Sequence, residues 1–300
     1  MDVFHCDQFA LPLPEGHRFP LEKYRLLRER VTAWNLASLR VPEAASDREL
    51  VGAHDPAYVE RVVSGSLTRE EIRRLGFPWS PELVERSRRS VGGTLAASRA
   101  ALGDGISVSL AGGTHHAFVD HGQGFCVFND VAVAVRTLQT ERRVERVAIL
   151  DLDVHQGNGT ASIFRDDSSV FTLSVHGANN FPFQKESSDL DVELPDRTGD
   201  DAYLPAARDG VRAALATAPD LAFYLAGADP FEADRLGRLS VSKAGLAERD
   251  RSVFELCREA GVPTVVVMSG GYGKTIEDTV DIHFTTVRTA FLSHAPRASV

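Results

Sequence analysis

The 300-residue sequence contains little cysteine, methionine or tryptophan, with three, two and two residues respectively. Cys6, Cys126 and Cys257 are far apart and odd in number, which argues against a disulfide framework and favours reduced thiols. No apolar run approaches the roughly 18 residues that a membrane span requires. The first residues lack both the basic stretch and the apolar core of a secretory signal, so we expect a cytoplasmic protein.

Positive charge is also scarce, because 33 Lys and Arg residues stand against 42 Asp and Glu residues, for a formal net charge of −9. This deficit argues against sequence-independent binding to phosphates, and no direct nucleic-acid partner is expected. An acidic balance suits cationic substrates, although it more often serves solubility. The remaining composition is that of an ordinary globular protein.

Short β-branched runs alternate with segments of helical periodicity along the whole chain. We predict strands at 2–5, 106–110, 146–152, 170–175, 221–226 and 264–268, and helices at 81–102, 129–140, 201–218, 243–260 and 276–292. This alternation predicts an α/β fold with a mostly parallel central sheet. Segment 177–200 has little periodicity and is expected to form surface loops. No repeat or linker divides the chain, so we predict one domain over residues 1–300.

Polar and glycine residues follow most of the predicted strands. Ligands of open parallel sheets lie outside the carboxyl ends of the strands, so these segments are expected to build the active site. They are His115-His116, Asp151 through Gly159, His176-Gly177, Gly227-Ala228-Asp229 and Ser269 through Tyr272.

Asp151, Asp153 and His155 form an Asp-x-Asp-x-His pattern. If strand geometry continues through His155, these alternate residues share one face. Carboxylates and imidazole suit Zn²⁺, Fe²⁺ or Mn²⁺, and a catalytic zinc site needs three protein ligands. Asp153 and His155 would be two of them and Asp229 the third. The pattern alone also fits an ordinary strand end, where Asp is common. Only its combination with the other strand ends favours a reaction centre.

The chain resembles the histone deacetylase superfamily of arginase-like metallohydrolases over nearly its whole length. The resemblance rests on Gly112-Gly113-Thr114-His115-His116-Ala117, Gly124 through Asp130, Asp151 through Gly159, Gly227-Ala228-Asp229 and Gly270-Gly271-Tyr272, in the family's order. Segments 180–183 and 234–242 resemble class IV deacetylases and their bacterial relatives more than class I. The resemblance implies an arginase/deacetylase-like fold with helices on both faces of the sheet and the active site at the carboxyl ends of the strands.

The resemblance also implies a metal and catalytic roles. Zn²⁺, with Fe²⁺ as the alternative, would be held by Asp153, His155 and Asp229. The implied catalytic residues are the general base and acid His116, its partner His115, the orienting residues Asp151 and Asn158, and the oxyanion donor Tyr272.

Further positions follow from the same resemblance. The substrate tunnel would be formed by Phe125, Phe181, Gly124, Gly270 and Gly271. Ser174 and His176 lie where some members surround a structural K⁺.

Two departures from the class I pattern affect these expectations. Asn158 replaces a second relay aspartate, and because an amide carries no charge, the pKa of His116 is expected to be lower. Segment 74–81 lacks the acidic residue that class I enzymes use to grip the substrate backbone. Its aromatic and proline residues fit either an apolar rim or simple loop packing.

The leading hypothesis is an amidohydrolase that removes acetyl or longer fatty acyl groups from lysine in proteins or peptides. One rival deacetylates a small amine such as a polyamine. A second is an arginase-like enzyme with two Mn²⁺ ions, for which additional acidic ligands are lacking around residues 155–159. The third is a catalytically inactive acyl-lysine binding module, against which the complete set of catalytic residues argues.

Overall fold

Eight strands form one parallel sheet in the computed structural model, which describes residues 1–35 and 37–294. The strands are β1 (Asp2–Phe4), β2 (Ser38–Arg40), β3 (Ile106–Ser109), β4 (Val147–Asp151), β5 (Val170–Gly177), β6 (Leu190–Leu194), β7 (Leu221–Leu225) and β8 (Thr264–Val267). Their order in the sheet is β2-β1-β3-β8-β7-β4-β5-β6, and every pairing between neighbours is parallel. The predicted α/β fold with a mostly parallel sheet is confirmed.

The helices of the described residues connect these strands. They are α1 (Glu22–Trp34), α2 (Asp47–Leu50), α3 (Pro56–Ser64), α4 (Arg69–Leu75), α5 (Pro81–Asp104), α6 (Asp130–Thr140), α7 (Asn158–Phe164), α8 (Asp200–Leu215), α9 (Lys243–Glu259) and α10 (Ile276–His294). The side chains of Ser80, Asn129 and Ser242 cap α5, α6 and α9 by accepting from first-turn N–H groups. The five predicted helices lie where α5, α6, α8, α9 and α10 are observed.

The sheet separates two hydrophobic cores. Successive residues of a strand point to opposite faces, so in β4 Val147 and Ile149 join one core while Ala148 and Leu150 join the other. One core packs against α1, α8, α9 and α10, and the second packs against α3, α5 and α6. Helices therefore cover both faces, as the family resemblance implies.

The expectation of surface loops over 177–200 is wrong for part of that segment. Strand β6 pairs in parallel with β5, with Leu190 opposite Leu173 at the start of the pairing and Leu194 opposite Gly177 at its end. It is an edge strand with mostly half-buried residues, so it lacks the continuous apolar run by which buried parallel strands are predicted. The same reason applies to β2, whose three residues alternate between exposed and half-buried.

The helices and the cysteines of the fold bear on the expected membrane topology and thiol chemistry. Within residues 1–35 and 37–294, no helix has the combination of length and apolar character needed to cross a membrane. Cys6, Cys126 and Cys257 are all buried as free thiols.

Candidate metal and catalytic site

The turn that follows β4 carries the Asp-x-Asp-x-His pattern. Strand β4 ends at Asp151, so the expectation that strand alternation extends to His155 is wrong. Instead, the Asp153 N–H donates to Oδ1 of Asp151 at 3.2 Å, and the His155 N–H donates to Oδ1 of Asp153 at 2.9 Å. Asp side chains favour such local bonds to the backbone two residues on. The turn, rather than the strand, gathers these side chains.

Asp229 reaches the same place from the neighbouring strand. Strand β7 lies beside β4, with Asp151 in register with Leu225, and Asp229 follows four residues after that position. Oδ1 of Asp229 accepts from the Val154 N–H at 2.9 Å. Two segments about 75 residues apart are thus locked together.

Asp153, His155 and Asp229 form a compact buried cluster, each offering one ligand atom within 4.8 Å of the others. Nδ1 of His155 lies 2.9 Å from Oδ1 of Asp153 and 3.2 Å from Oδ2 of Asp229. Oδ2 of Asp229 is buried and has no hydrogen-bond partner among the described residues. Such an oxygen is costly without a cation or a donor. Two carboxylates and one imidazole therefore fit a divalent metal ion.

Neighbouring groups orient these ligands. Oδ2 of Asp153 accepts from the Ser269 hydroxyl and the Gly270 N–H, both at 2.7 Å. A Cβ on Gly270 would lie 1.8 Å from Oδ2 of Asp229 and 2.7 Å from Oδ2 of Asp153. Only glycine leaves room for the carboxylates at this position. Contacts of this kind fix the direction of metal ligands.

The two adjacent histidines lie in a turn after β3, and their ring centroids are 4.1 Å apart. Nδ1 of His115 lies 2.6 Å from Oδ2 of Asp151, and Nδ1 of His116 lies 2.8 Å from Oδ1 of Asn158. Both rings are buried. Each histidine therefore has its own orienting partner, one charged and one neutral.

This difference separates the protonation of the two rings. Burial opposes the charged form of His115, yet the negative charges of Asp151 and Asp153 outweigh it and raise its pKa to about 9. For His116, burial is the main reason that the pKa lies well below its usual value, and the positive charges of His115 and His155 lower it further. At neutral pH His116 is the unprotonated partner, which is the state that a general base needs.

Tyr272 lies at the cavity wall, and the loop after β7 holds its backbone. Its N–H donates to Oδ2 of Asp234 at 2.6 Å, and its carbonyl accepts from the N–H of Arg235 at 3.1 Å. Burial is the main reason that the pKa of the phenol lies well above its ordinary value, and electrostatic repulsion from the nearby Tyr24 and Asp229 raises it further. The hydroxyl therefore keeps its proton and can donate it in a hydrogen bond.

A cavity of about 950 Å³ opens above these groups. Phe125 and Phe181 line it, and the Phe181 ring contacts His116 edge-on with centroids 4.9 Å apart. Gly124 has φ +55°, and a Cβ there would lie 2.8 Å from Cδ2 of His116 and 3.2 Å from Phe181. Four of the predicted tunnel residues, Gly124, Phe125, Phe181 and Gly270, thus line the same cavity as His116. Gly271 is not among the described residues that line the cavity, and a Cβ there would lie 2.7 Å from Thr279 and 3.2 Å from His283.

The aromatic residues of segment 74–81, for which an apolar rim and simple loop packing were both open, pack inside the protein. Phe77 is buried, and its ring packs on Phe19 and Phe125 with centroids 4.9 and 5.2 Å apart. The Trp79 indole donates to the Val62 carbonyl at 2.7 Å. Phe77 therefore supports the tunnel wall from behind, whereas Trp79 packs against α3.

Sequence reasoning missed two supporting residues. The buried Lys23 donates to the Ser269 carbonyl at 3.1 Å and lies 5.6 Å from the Tyr272 ring centroid. Burial lowers its pKa to about 8. Asp130 accepts from the N–H groups of Gly113 and Thr114 and thereby holds the loop that leads into the histidines. No local motif marks Lys23, because its helix belongs to a distant segment of the chain.

The location expected for K⁺ is compact and buried. Ser174 pairs in register with Asp151 across β5 and β4, and its hydroxyl lies 3.0 Å from Nδ1 of His176. Binding of K⁺ here stays a prediction.

Comparisons with known proteins agree with this architecture. Residues 17–287 match the histone deacetylase domain. An uncharacterized protein of Picosynechococcus sp. is 44% identical over 292 residues, covering 96% of this chain and 97% of that protein. A histone deacetylase-like amidohydrolase of Pseudomonas aeruginosa is 32% identical, covering 88% and 74%. The crystal structure of a histone deacetylase homologue from Aquifex aeolicus superposes with a TM-score of 0.82 at 22% identity, covering 96% and 83%.

The fold and the buried cluster define an α/β protein with a candidate metal centre at the carboxyl edge of its sheet. The chain belongs to the histone deacetylase family. It is a histone deacetylase-family amidohydrolase, and the structural neighbours share its fold.

Proposed function

We propose that this protein hydrolyses the amide between an acyl group and the ε-amine of lysine, in a protein or a peptide. The observation that carries the proposal is the unequal pair of buried histidines beside the Asp153, His155 and Asp229 cluster. One ring is neutral and able to accept a proton, whereas the other is protonated and able to stabilise negative charge. This division of labour suits hydrolysis of an unactivated amide.

The proposed metal is Zn²⁺, with Fe²⁺ as the alternative. The two carboxylates and Nδ1 of His155 would hold it. A bound divalent ion supplies Lewis acidity, which makes water more acidic and polarises a carbonyl group. Within residues 1–35 and 37–294, Asp153, His155 and Asp229 form the one group of three possible ligands, which supports a single ion rather than the arginase-like pair.

His116 is the proposed base. It takes one proton from the attacking water while the oxygen of that water bonds to the acyl carbon. The C–N bond then breaks as His116 returns its proton to the leaving nitrogen, which gives a carboxylic acid and a free amine. The remaining proton of the acid then passes to the amine, so that a carboxylate and an ammonium group are released. Nδ1–H of His116 donates to Asn158, which leaves the other ring nitrogen free for proton transfer.

Tyr272 is the proposed donor to the carbonyl oxygen as negative charge develops there. Its high pKa keeps the phenol protonated, and the anchored backbone fixes its position. The aromatic walls formed by Phe125 and Phe181 suit the apolar stem of an acylated lysine. A protein that used these aromatic walls only to bind acyl-lysine would not require both a neutral base and a buried cluster of metal-binding side chains.

A substrate panel tests the proposal. The metal-loaded protein is incubated with lysine peptides that carry acetyl, octanoyl or myristoyl groups and with acetylated polyamines, and release of free amine is measured. We expect turnover of at least one acyl-lysine peptide and nearly complete loss of it in His116→Ala with unchanged metal content. Turnover of polyamines alone, or binding of acyl-lysine without hydrolysis, would overturn the proposal.

A further inference from the structure

The mouth of the catalytic cavity is rich in arginine. Arg18, Arg73, Arg74, Arg235 and Arg238 line it, and all five are exposed. Among the described residues that line this cavity, Asp153 alone has a carboxyl group, and it lies buried at the bottom. A protein with a formal net charge of −9 thus surrounds its catalytic entrance with positive charge.

Backbone contacts attach these arginines to the tunnel walls. On one side, the carbonyls of Arg74 and Leu75 accept from the N–H groups of Gly124 and Phe125 at 3.2 and 2.8 Å. On the other side, Oδ1 of Asn180 accepts from the Arg238 N–H at 3.2 Å. The positive side chains therefore stand at the entrance that a substrate must pass.

The other side of the mouth is held against the catalytic tyrosine. Nε of Arg235 donates to the Tyr272 carbonyl at 3.2 Å, next to the main-chain bond between the same residues. The side-chain amide of Asn180 donates to the Leu236 carbonyl at 2.8 Å. The Arg235 side chain is thus hydrogen-bonded directly to Tyr272, the proposed oxyanion donor.

Much of this charge is not neutralised within the protein. Arg74 and Arg238 lie near Glu70 and Asp196, at 3.5 and 3.2 Å on exposed surface. Arg18, Arg73 and Arg235 have no ion-pair partner within 4 Å in the part of the chain that the structure describes. Low-dielectric walls around a cleft of one charge sign concentrate the field at its entrance.

We propose that this arginine mouth binds carboxylate groups, so that the site prefers acylated amines with an acidic group beside the acylated stem. The inference rests on the proposed amide hydrolysis and names its substrate class. The carboxylate comes either from acidic residues flanking an acyl-lysine or from the free α-carboxylate of an acylated amino acid. Guanidinium groups match carboxylates in shape and charge. A polyamine carries the opposite charge and is repelled, although the acidic composition alone suggested cationic substrates.

Peptides of equal length test this inference. Each carries a central acetyl-lysine flanked by Glu, Gln or Lys, and kcat/KM is measured for each at low salt. Exposed ion pairs contribute modestly, so we expect the Glu peptide to exceed the Lys peptide by about tenfold, with the Gln peptide between. In 1 M NaCl, where the screening length is about 3 Å, the ratio should approach one. Equal rates at low salt, or preference for Lys, would overturn the inference.

Variants assign the preference to the mouth. The double variant Arg18→Gln and Arg73→Gln should reduce the Glu-to-Lys ratio at least threefold, because these side chains have no internal partner to replace. The double variant Arg212→Gln and Arg258→Gln removes the same number of positive charges from the last turns of α8 and α9, at the end of the sheet opposite the cavity, and should keep the wild-type ratio. An unchanged ratio in the double variant contradicts the inference.

Two further measurements separate the sources and the hypotheses. Acetyl-lysine with a free carboxylate is compared with its amide, and faster turnover of the free acid indicates a small-molecule substrate. Dissociation constants of the three peptides are measured by fluorescence anisotropy. If no peptide is hydrolysed, the proposed function fails, while tighter binding of the Glu peptide still supports the arginine mouth and equal binding contradicts it.

Discussion

Nδ1 of His116 lies 2.8 Å from Oδ1 of Asn158, deep in the site where the paired histidine meets a carboxylate instead. Burial, together with the charges of His115 and His155, holds the pKa of His116 well below its usual value, and the hydrogen bond to Asn158 opposes this only in part. A neutral amide stabilises the protonated ring less than a carboxylate would. The protein thereby keeps its base ready at low pH. This relationship leads directly to the first prediction.

Asn158→Asp should shift the pH dependence of kcat/KM. An aspartate at this distance favours protonated His116 and raises its pKa by about one to three units. Because the base works unprotonated, the acidic limb of the profile should move to higher pH by a similar amount. Asn35→Asp adds the same charge after α1, far from the site, and should leave the limb in place. A coincident profile for wild type and Asn158→Asp would assign the base to another residue.

Removing a ligand or the space beside it should weaken metal binding. We expect about one equivalent of divalent ion per chain in the wild type and a loss of more than about tenfold in affinity in Asp229→Asn. Gly270→Ala should have a similar effect, since its Cβ would occupy the position of Oδ2 of Asp229. Asp209→Asn, an exposed residue of α8, is the matched control. Metal content is measured by mass spectrometry, and full occupancy in both site variants would rule out this cluster.

Tyr272→Phe should lower kcat by about 10²–10³-fold, the usual effect of removing one oxyanion donor. The backbone bonds of Tyr272 to Asp234 and Arg235 do not involve the hydroxyl. Metal content and melting temperature should therefore match the wild type. Steady-state kinetics with an acyl-lysine peptide provide the measurement, and a kcat within threefold of wild type would remove Tyr272 from the reaction.

The buried His54 should make stability depend on pH. Its Nδ1 lies 2.9 Å from the Phe118 carbonyl and its Nε2 accepts from the Asn129 N–H at 2.9 Å, and burial lowers its pKa to about 4. The unfolded chain binds a proton between about pH 6.5 and pH 4, whereas the folded protein does not. Stability from this group is complete above pH 6.5 and falls by roughly 3 kcal/mol toward pH 4.

Urea unfolding at pH 7 and pH 4 measures this term. His54→Gln should reduce the difference in unfolding free energy between the two pH values, although it lowers stability at pH 7 by removing a buried hydrogen-bonded ring. His121→Gln removes a half-buried histidine from the nearby loop and serves as the control. The prediction does not survive if the pH difference of His54→Gln equals that of the wild type.

Local signals explain which elements could be predicted. The apolar runs of β3, β4, β7 and β8 are buried on both faces, and Asn129 caps α6 at the predicted boundary. Strands β2 and β6 lie at the sheet edges and lack such runs. Short helices such as α4 have their own capping box, but seven residues give too little periodicity to distinguish them from loops.

The sequence by itself determined the parallel sheet, the polar strand ends and the residue types of the metal centre, because burial and capping act over a few neighbouring residues. The placement of Asp229 depended on β7 lying beside β4 in space. The arginine mouth depended on still more distant contacts, since Arg73 belongs to α4 and Arg235 to the loop after β7. The net charge of the sequence indicates an acidic protein. Only the tertiary structure places five arginines together at the entrance of the cavity.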